Sequence, residues 1–346
     1  LPERLQVVRR SFPIPPHVCL SYVCLSTGVV IRYRGVGSPD SGVERLKGVE
    51  AVSVTIRQLH PVFAGEVSGV DMRQPLSAED VAAIDAGMNE YAVLVFHDQN
   101  ITDDQQLAFS RNFGALELPG SASNITKAKD RRLGPEMADV SNLDANHGIL
   151  DRNDRQRMFN LGNLLWHSDS SYRATPAKYS LLSGRQIPAK GGDTEFADMR
   201  AAYDALDATT KAEIEDLVCE HSLLYSRGLL GFTGLEAAEK ANFKPVRQRL
   251  VRTHPVTGRK SLYLSAHIGA ILGWPMPEAR GFIRDLTEAA TEREFVYAHQ
   301  WRRYDFVMWD NRQTMHRARR FNDTGEARDM RRTTIAGDIQ TVEQAA

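Results

Sequence analysis

Two histidines and one aspartate in this chain could bind a metal ion together. His167 and Asp169 stand two residues apart, and His316 follows much later in the chain. In an extended segment, side chains at positions i and i+2 point to the same side, so His167 and Asp169 could reach one ion. Two imidazoles and one carboxylate on one face of a metal leave the opposite positions open, as non-haem Fe(II) oxygenases require. A His-x-Asp tripeptide alone also occurs as an ordinary pair of solvated loop residues.

Two arginines follow the last of these residues. Arg328 and Arg332 precede a Thr-Thr-Ile run that is typical of a strand, in which residues 328, 330 and 332 share a face. In a helix, their i, i+4 spacing would also place both on one side. A guanidinium binds a carboxylate through two hydrogen bonds and keeps its charge. We therefore expect a site for two carboxylates, one from a cosubstrate and one from a substrate.

Four motifs in this order resemble the taurine dioxygenase family of Fe(II)/2-oxoglutarate-dependent enzymes. They are His167-Ser168-Asp169, Gly191-Gly192-Asp193-Thr194-Glu195-Phe196, Trp309-Asp310-Asn311-Arg312 with His316, and Arg328 with Arg332. The resemblance runs from about Val54 to Asp338, and within the family it is nearest to the 2,4-dichlorophenoxyacetate dioxygenase branch.

The resemblance implies roles for five of these residues. His167, Asp169 and His316 would bind Fe(II), and Thr194 and Arg328 would bind the distal carboxylate of the cosubstrate 2-oxoglutarate. O2 would be the second cosubstrate, with ascorbate as an optional reductant. The protein would position the reactants and exclude water, since the metal and the keto acid carry out the difficult bond changes.

Four residues form the predicted substrate site. The resemblance implies that Arg332 receives the acidic group of the substrate and that His254 and His267 contact the substrate. For each histidine the alternative is an ordinary surface or hydrogen-bonded residue. Asn142 could lie near the acidic group, or it could simply form a turn.

The resemblance to the phenoxyacetate branch implies hydroxylation of a carbon next to an ether oxygen. The product would fall apart to a phenol and glyoxylate, with release of succinate and CO2. A taurine or alkylsulfonate dioxygenase is the alternative, because arginine binds sulfonates as well as carboxylates. A jelly-roll binding protein without catalysis and a zinc hydrolase with the same ligands are two further alternatives.

Composition narrows the class of protein. The chain has 346 residues and a formal net charge of −1, which gives no electrostatic case for nucleic acid binding. No apolar run reaches the roughly 20 residues that a membrane span needs. Three cysteines argue against a disulfide framework and favour the cytoplasm. We expect a small acidic substrate as the partner, without nucleic acid or membrane, and leave a homo-oligomer open.

Residues 1–51 differ from the rest of the chain. They contain two of the three cysteines and several prolines, and the first methionine is Met72. We expect residues 1–51 to be a non-native or disordered N-terminal extension, and residues 52–340 to form the dioxygenase domain. Residues 119–160 are rich in Gly, Ser, Asn and Asp, and we expect a long loop that folds over the site.

Patterning alone predicts a mixed α and β fold. The resemblance implies the α+β class with a double-stranded β-helix, or jelly-roll, core and flanking helices. Helices are predicted over 77–91, 102–113, 198–218 and 278–291, and strands over 52–59, 92–96, 179–184, 192–197, 303–308 and 332–336.

Overall fold

The computed structural model of the chain describes residues 54–118, 125 and 131–344. The prediction for residues 1–51 lies outside the described residues. The described part mixes α-helices with β-strands, as the sequence predicts. In this part of the chain, no helix has the length and apolar character needed to cross a bilayer.

Eight helices occur in the described residues. They are α1 Ala78–Tyr91, α2 Asp103–Arg111, α3 Arg155–Asn160, α4 Met199–Ala205, α5 Ala208–Ile214, α6 Leu223–Leu229, α7 Ala237–Asn242 and α8 Met276–Ala290. The first two begin at side-chain caps, because Ser77 accepts a hydrogen bond from the Asp80 amide and Thr102 forms a capping box with Gln105. These caps satisfy amides that lack a partner inside the helix.

The prediction of one helix over 198–218 is wrong. Leu206 has an extended backbone (φ −65°, ψ 147°), which ends α4. Asp207 then accepts hydrogen bonds from the amides of Thr209 and Thr210 and begins α5. The Asp-Ala-Thr-Thr sequence is therefore a second N-cap that divides the periodic apolar pattern.

Fifteen strands occur in the same described residues. They are β1 Thr55–Gln58, β2 Gly65–Ser68, β3 Val93–Phe96, β4 Ala138–Asp139, β5 Tyr179–Gln186, β6 Thr194–Asp198, β7 Val218–His221, β8 Val246–Arg249, β9 Val251–Thr253, β10 Lys260–Leu262, β11 Ile268–Ile271, β12 Val296–His299, β13 Phe306–Asp310, β14 Thr314–Ala318 and β15 Asp329–Thr334. The largest sheet has the order β1-β2-β3-β13-β5-β15-β4 and is antiparallel except between β2 and β3.

A three-stranded sheet of order β12-β6-β14 packs against this large sheet. Phe196 of β6 shares one buried cluster with Leu182, Val307 and Trp309 of the large sheet. Sheets β11-β7-β8 and β10-β9 pack with α4 and α8 around another core. The candidate metal ligands lie where β14 meets the segment that leads into β5.

The predicted loop over 119–160 is only partly correct. Its described portion contains strand β4 and helix α3, and the latter begins at Asp154, whose carboxylate accepts two backbone hydrogen bonds. Residues 119–124 and 126–130 of this prediction lie outside the described residues. The described portion lines the site, as shown below.

Candidate active site

The backbone brings the two predicted histidine ligands side by side. The His167 amide donates to the His316 carbonyl at 3.0 Å, and the His316 amide donates back to the His167 carbonyl at 2.8 Å. This antiparallel bridge places both imidazoles on one side, with ring centroids 4.2 Å apart. Asp169 follows two residues later, and the three buried side chains bring their ligand atoms within 4.8 Å of one another. The segment before Asp169 is not a continuous strand. Residues 161–164 form a short 3-10 helix, and residue 167 alone forms a strand-like bridge.

The three side chains have the protonation states that a metal ion needs. His167 Nδ1 donates to the Leu165 carbonyl at 2.7 Å, which leaves the lone pair on Nε2. Burial lowers the pKa of His167 and of His316, so both imidazoles are neutral near pH 7. Burial alone would raise the pKa of Asp169, but the charge of Arg332 and the hydrogen bond from Ser180 hold it well below its usual range. Two neutral imidazoles and an ionised carboxylate fit a divalent cation.

Asp169 is held in place by two polar side chains that we did not predict. Ser180 Oγ donates to Asp169 Oδ2 at 2.7 Å, and Asn311 Oδ1 accepts from the Asp169 amide at 3.2 Å. Asn311 also donates to Ser180 Oγ at 2.9 Å and accepts from Trp309 Nε1 at 3.1 Å. Asn311 lies in a quoted motif and could have been selected, whereas nothing in the sequence singles out Ser180.

A small cavity connects the two histidines with the predicted 2-oxoglutarate residues. It is lined by His167, His316, Thr194, Arg328 and Arg332. The Thr194 hydroxyl accepts from Trp301 Nε1 at 2.9 Å, so its own proton can still be donated. The structure thus brings these five predicted side chains to one cavity.

Arg328 is a buried cation at the far side of this cavity. Its Nη2 donates to the Gly192 carbonyl at 3.2 Å, and its Nε has no partner among the residues that the structure describes. Burial lowers the pKa of Arg328 to about 10, and the nearby Asp193 opposes this shift. The guanidinium therefore stays charged at neutral pH without a hydrogen-bonded carboxylate from the described chain.

A second cavity, of about 80 Å³, shares His167 and Arg332 with the first one. Its polar lining includes His167, Asp169, Tyr172, Arg227, His267 and Arg332. His267 is buried with Nδ1 2.9 Å from Ser226 Oγ, and its ring centroid lies 6.3 Å from that of His167. The structure thus brings the predicted His267 to the candidate centre.

Arg332 lines both cavities. It lies on β15, and its Nη1 donates to Asp169 Oδ1. The predicted substrate arginine is therefore close to the metal-ligand set, and part of its hydrogen-bonding capacity is used by Asp169.

His254 and Asn142 lie outside these two cavities. His254 Nε2 donates to Asp310 Oδ2 at 3.3 Å, while Nδ1 accepts from the amides of Val256 and Thr257. Both of its ring nitrogens are therefore used within the protein. This geometry does not support a substrate contact for His254.

Asn142 lines a third, larger cavity of about 360 Å³ that also reaches Arg328. Its amide nitrogen donates to the carbonyls of Asp323 and Glu326, and its oxygen accepts from the Arg328 amide at 2.7 Å. Asn142 therefore holds the segment before β15 in place. Its contacts favour this structural role over the predicted substrate contact.

Arg227 was not among the predicted site residues. It lies in α6, is buried, and lines the same cavity as His167 and His267. Its surroundings in the sequence, Leu-Leu-Tyr-Ser-Arg-Gly-Leu, carry no motif that would single it out. Only the packing of α6 against α3 residues such as Phe159 reveals its position.

Comparison with known proteins decides the family. The family described as "Taurine catabolism dioxygenase TauD, TfdA family" matches residues 55–334. The chain belongs to this family. The predicted family and the predicted class of enzyme, a 2-oxoglutarate-dependent non-haem iron dioxygenase, are confirmed.

Two curated relatives and one crystal structure are similar over most of the chain. An alpha-ketoglutarate-dependent 2,4-dichlorophenoxyacetate dioxygenase of Cupriavidus pinatubonensis is 45% identical over 287 residues, covering 83% of this chain and 99% of the relative. An (S)-phenoxypropionate/alpha-ketoglutarate-dioxygenase of Sphingobium herbicidovorans is 38% identical over 293 residues, covering 82% and 95%. AAD-2, crystallised with Mn(II) and N-oxalylglycine, is 58% identical with a TM-score of 0.81, covering 84% and 99%.

Proposed function

We propose that this protein is an Fe(II)- and 2-oxoglutarate-dependent dioxygenase that hydroxylates a small aryloxyalkanoic acid such as 2,4-dichlorophenoxyacetate. The observation that carries the proposal is the buried set of His167, Asp169 and His316, which could hold one ion from one side. The names of the two relatives support an aryloxyalkanoate in preference to an alkylsulfonate.

In this proposal, His167, Asp169 and His316 bind the iron. When bound, Fe(II) would supply the redox chemistry for the reduction of O2, with 2-oxoglutarate and the substrate C–H bond each giving half of the electrons. The Leu165 carbonyl fixes the tautomer of His167, and Ser180 and Asn311 fix the carboxylate of Asp169.

Thr194 and Arg328 bind the distal carboxylate of 2-oxoglutarate. Both line the cavity that reaches His167 and His316, so one elongated dicarboxylate could span from the metal to the guanidinium. Arg328 supplies a buried positive charge and Thr194 a hydroxyl donor. This arrangement favours a dicarboxylate over a monoacid at this position.

The substrate occupies the second cavity, which shares His167 and Arg332 with the first. Phe159, Val140 and Ile125 supply apolar surface for an aromatic ring, while Arg332 faces the acidic group and His267 lies beside it. Hydroxylation of the carbon between the ether oxygen and the carboxylate gives a hemiacetal. This breaks down to a phenol and glyoxylate. 2-Oxoglutarate is decarboxylated to succinate and CO2, with one oxygen atom of O2 entering succinate and the other entering the new hydroxyl group.

We also propose that the large sheet and the β12-β6-β14 sheet together form the double-stranded β-helix of residues 52–340. The shared cluster of Phe196 with Leu182, Val307 and Trp309 supports this interpretation. Ligands supplied by β14 and by the segment before β5 would then lie at the open end of that fold.

An assay of succinate release under air tests the proposed function. The substrate panel contains aryloxyacetates, aryloxypropionates and alkylsulfonates, each with Fe(II) and 2-oxoglutarate. We expect succinate and a phenol in stoichiometric amounts with the aryloxy acids. Succinate release only with alkylsulfonates, or hydrolysis that depends on zinc and not on 2-oxoglutarate, would contradict the proposal.

A further inference from the structure

Arg227 is a buried cation that lines the proposed substrate cavity and lacks a counter-charge. Its Nη1 donates to Ser226 Oγ at 3.3 Å, and its Nε has no partner in residues 54–118, 125 and 131–344. No carboxylate hydrogen-bonds to it within this part of the chain. Burial lowers the pKa of Arg227 to about 10, so the guanidinium still carries its proton at neutral pH.

The guanidinium of Arg227 is held in a fixed position. Its Cζ lies 4.5 Å from the ring centroid of Phe159. On another side it lies against the backbone of Gly162, where an added Cβ would be 2.0 Å from Nη1 and 2.2 Å from Cζ. Only glycine at position 162 leaves this space. The guanidinium therefore lies between the Phe159 ring and the Gly162 backbone before any ligand binds.

The other charges that line the cavity are already balanced. Arg332 donates to Asp169, and Asp139 accepts two hydrogen bonds from Arg132, each at 2.9 Å. Arg227 therefore supplies the excess positive charge, and a buried unpaired charge is costly unless an anion binds to it.

We propose that Arg227 binds the carboxylate of the substrate, as a second guanidinium beside Arg332. This inference rests on the proposed function and extends it by naming a specificity-determining residue. A carboxylate held by the rigid fork of Arg227 would place the adjacent carbon beside His167, which lines the same cavity. An uncharged analogue of the same shape would leave the guanidinium unpaired and should be rejected.

Ligand binding without turnover provides the test. Isothermal titration measures the affinity of the protein, loaded with Mn(II) and N-oxalylglycine, for 2,4-dichlorophenoxyacetic acid and for the uncharged 2-(2,4-dichlorophenoxy)ethanol. In Arg227→Gln we expect the dissociation constant of the acid to rise about tenfold or more, with little change for the alcohol. The preference for acid over alcohol should therefore fall, whereas the affinity for N-oxalylglycine should not change.

Three further variants separate charge recognition from packing. Arg252→Gln is the matched control, because Arg252 is equally buried, lies 4.6 Å from the Tyr263 ring centroid and lines none of the three cavities. The preference of Arg252→Gln for the acid over the alcohol should equal that of the wild type. Arg227→Lys keeps the charge and should retain part of the preference. Gly162→Ala should lower the preference because it displaces the guanidinium, and it gives a second test if Arg227→Gln folds poorly.

The outcomes distinguish this inference from the function on which it rests. An acid preference that survives in Arg227→Gln and in Gly162→Ala, or that falls equally in Arg252→Gln, would overturn the role of Arg227 alone. Failure of the wild-type complex to bind the aryloxy acid would overturn the proposed substrate and, with it, this inference.

Discussion

Two buried groups of charges in this protein differ in how completely they are paired. The first, which we call the closed cluster, contains Asp310, Arg312, Gln313 and His254. Asp310 Oδ1 accepts from the amide and Nε of Arg312, and Oδ2 accepts from Arg312 Nη2, Gln313 Nε2 and His254 Nε2. Neighbouring protein groups therefore fill the hydrogen-bonding capacity of the Asp310 carboxylate.

The second group surrounds the candidate active site and is open. Arg328 and Arg227 are as buried as the closed cluster, but neither is hydrogen-bonded to a carboxylate of the described chain. Two unpaired guanidiniums, each lining a cavity that reaches His167, match the two carboxylates that the proposed reaction brings together. Burial alone therefore does not indicate that a charged side chain has a function, whereas burial beside a cavity without a hydrogen-bonded counter-charge does.

Loss of a metal ligand should have the largest effect. Asp169→Ala removes the anionic donor, so we expect iron-dependent succinate formation to fall to background and Mn(II) binding to be lost. Succinate assays and metal titration measure the two effects. Asp216→Ala, which removes an exposed carboxylate, is the control and should retain both succinate formation and Mn(II) binding. Normal turnover in Asp169→Ala would remove this residue from the ligand set.

Breaking the closed cluster should affect stability more than ligand binding. Asp310→Asn leaves Arg312 buried without its charge partner, and we expect the free energy of unfolding to fall by about 3 to 5 kcal/mol. Urea denaturation of the metal-free protein measures this change. A loss of less than about 1 kcal/mol would show that the cluster resembles a surface ion pair in strength.

Removing an open charge should show the opposite pattern. Arg328→Gln should raise the 2-oxoglutarate concentration needed for half-maximal turnover by about tenfold or more, since such contacts contribute about 2 to 5 kcal/mol. The free energy of unfolding should not decrease, because a buried unpaired charge is removed. Arg303→Gln, at an exposed arginine, is the control. Destabilisation comparable with that of Asp310→Asn would contradict the distinction between open and closed charges.

A buried histidine near the site should give a smaller effect that depends on pH. Burial lowers the pKa of His221 to about 3, whereas the unfolded chain titrates near 6.5. The unfolded state therefore binds a proton that the folded state does not, and stability is lost as the pH falls from 6.5 towards 3. Between pH 7 and pH 5 this costs about 2 kcal/mol.

His221→Phe should remove that part of the pH dependence. Urea denaturation at pH 7 and pH 5, in the presence of EDTA, measures the difference between variant and wild type. His147→Asn, at an exposed histidine whose positive φ suits asparagine, is the control for loss of a histidine. Equal pH dependence in His221→Phe and wild type would mean that folding does not lower the pKa of His221.

The sequence indicates which residues of the proposed metal and 2-oxoglutarate sites lie together more directly than it does for the proposed substrate site. His167 and Asp169 are two residues apart, so local geometry already suggests a shared ligand, and His316, Thr194 and Arg328 follow from ordered motifs. The structure brings all of these to one centre. These residues lie on or beside strands, where register determines which side chains share a face.

The substrate side depends on contacts between elements that the sequence does not reveal. Arg227 lies in a short helix without a motif, and its importance comes from Phe159 and Gly162, which are far away in the chain. His254 was predicted at the site because of its resemblance to a family position, but its nitrogens bind Asp310 and neighbouring amides instead. Tertiary packing determines which buried polar groups have hydrogen-bond partners. The hydrophobic periodicity of the sequence does not reveal these partners.

The central claim is that three side chains bind one metal ion from one side and leave its other positions to ligands. A crystal structure of the protein grown anaerobically with Mn(II) and N-oxalylglycine tests this claim most directly. The account predicts Mn(II) bound to His167, Asp169 and His316, with N-oxalylglycine on the open face and its far carboxylate at Arg328. A metal bound elsewhere, or closed off by a fourth protein ligand, would contradict it.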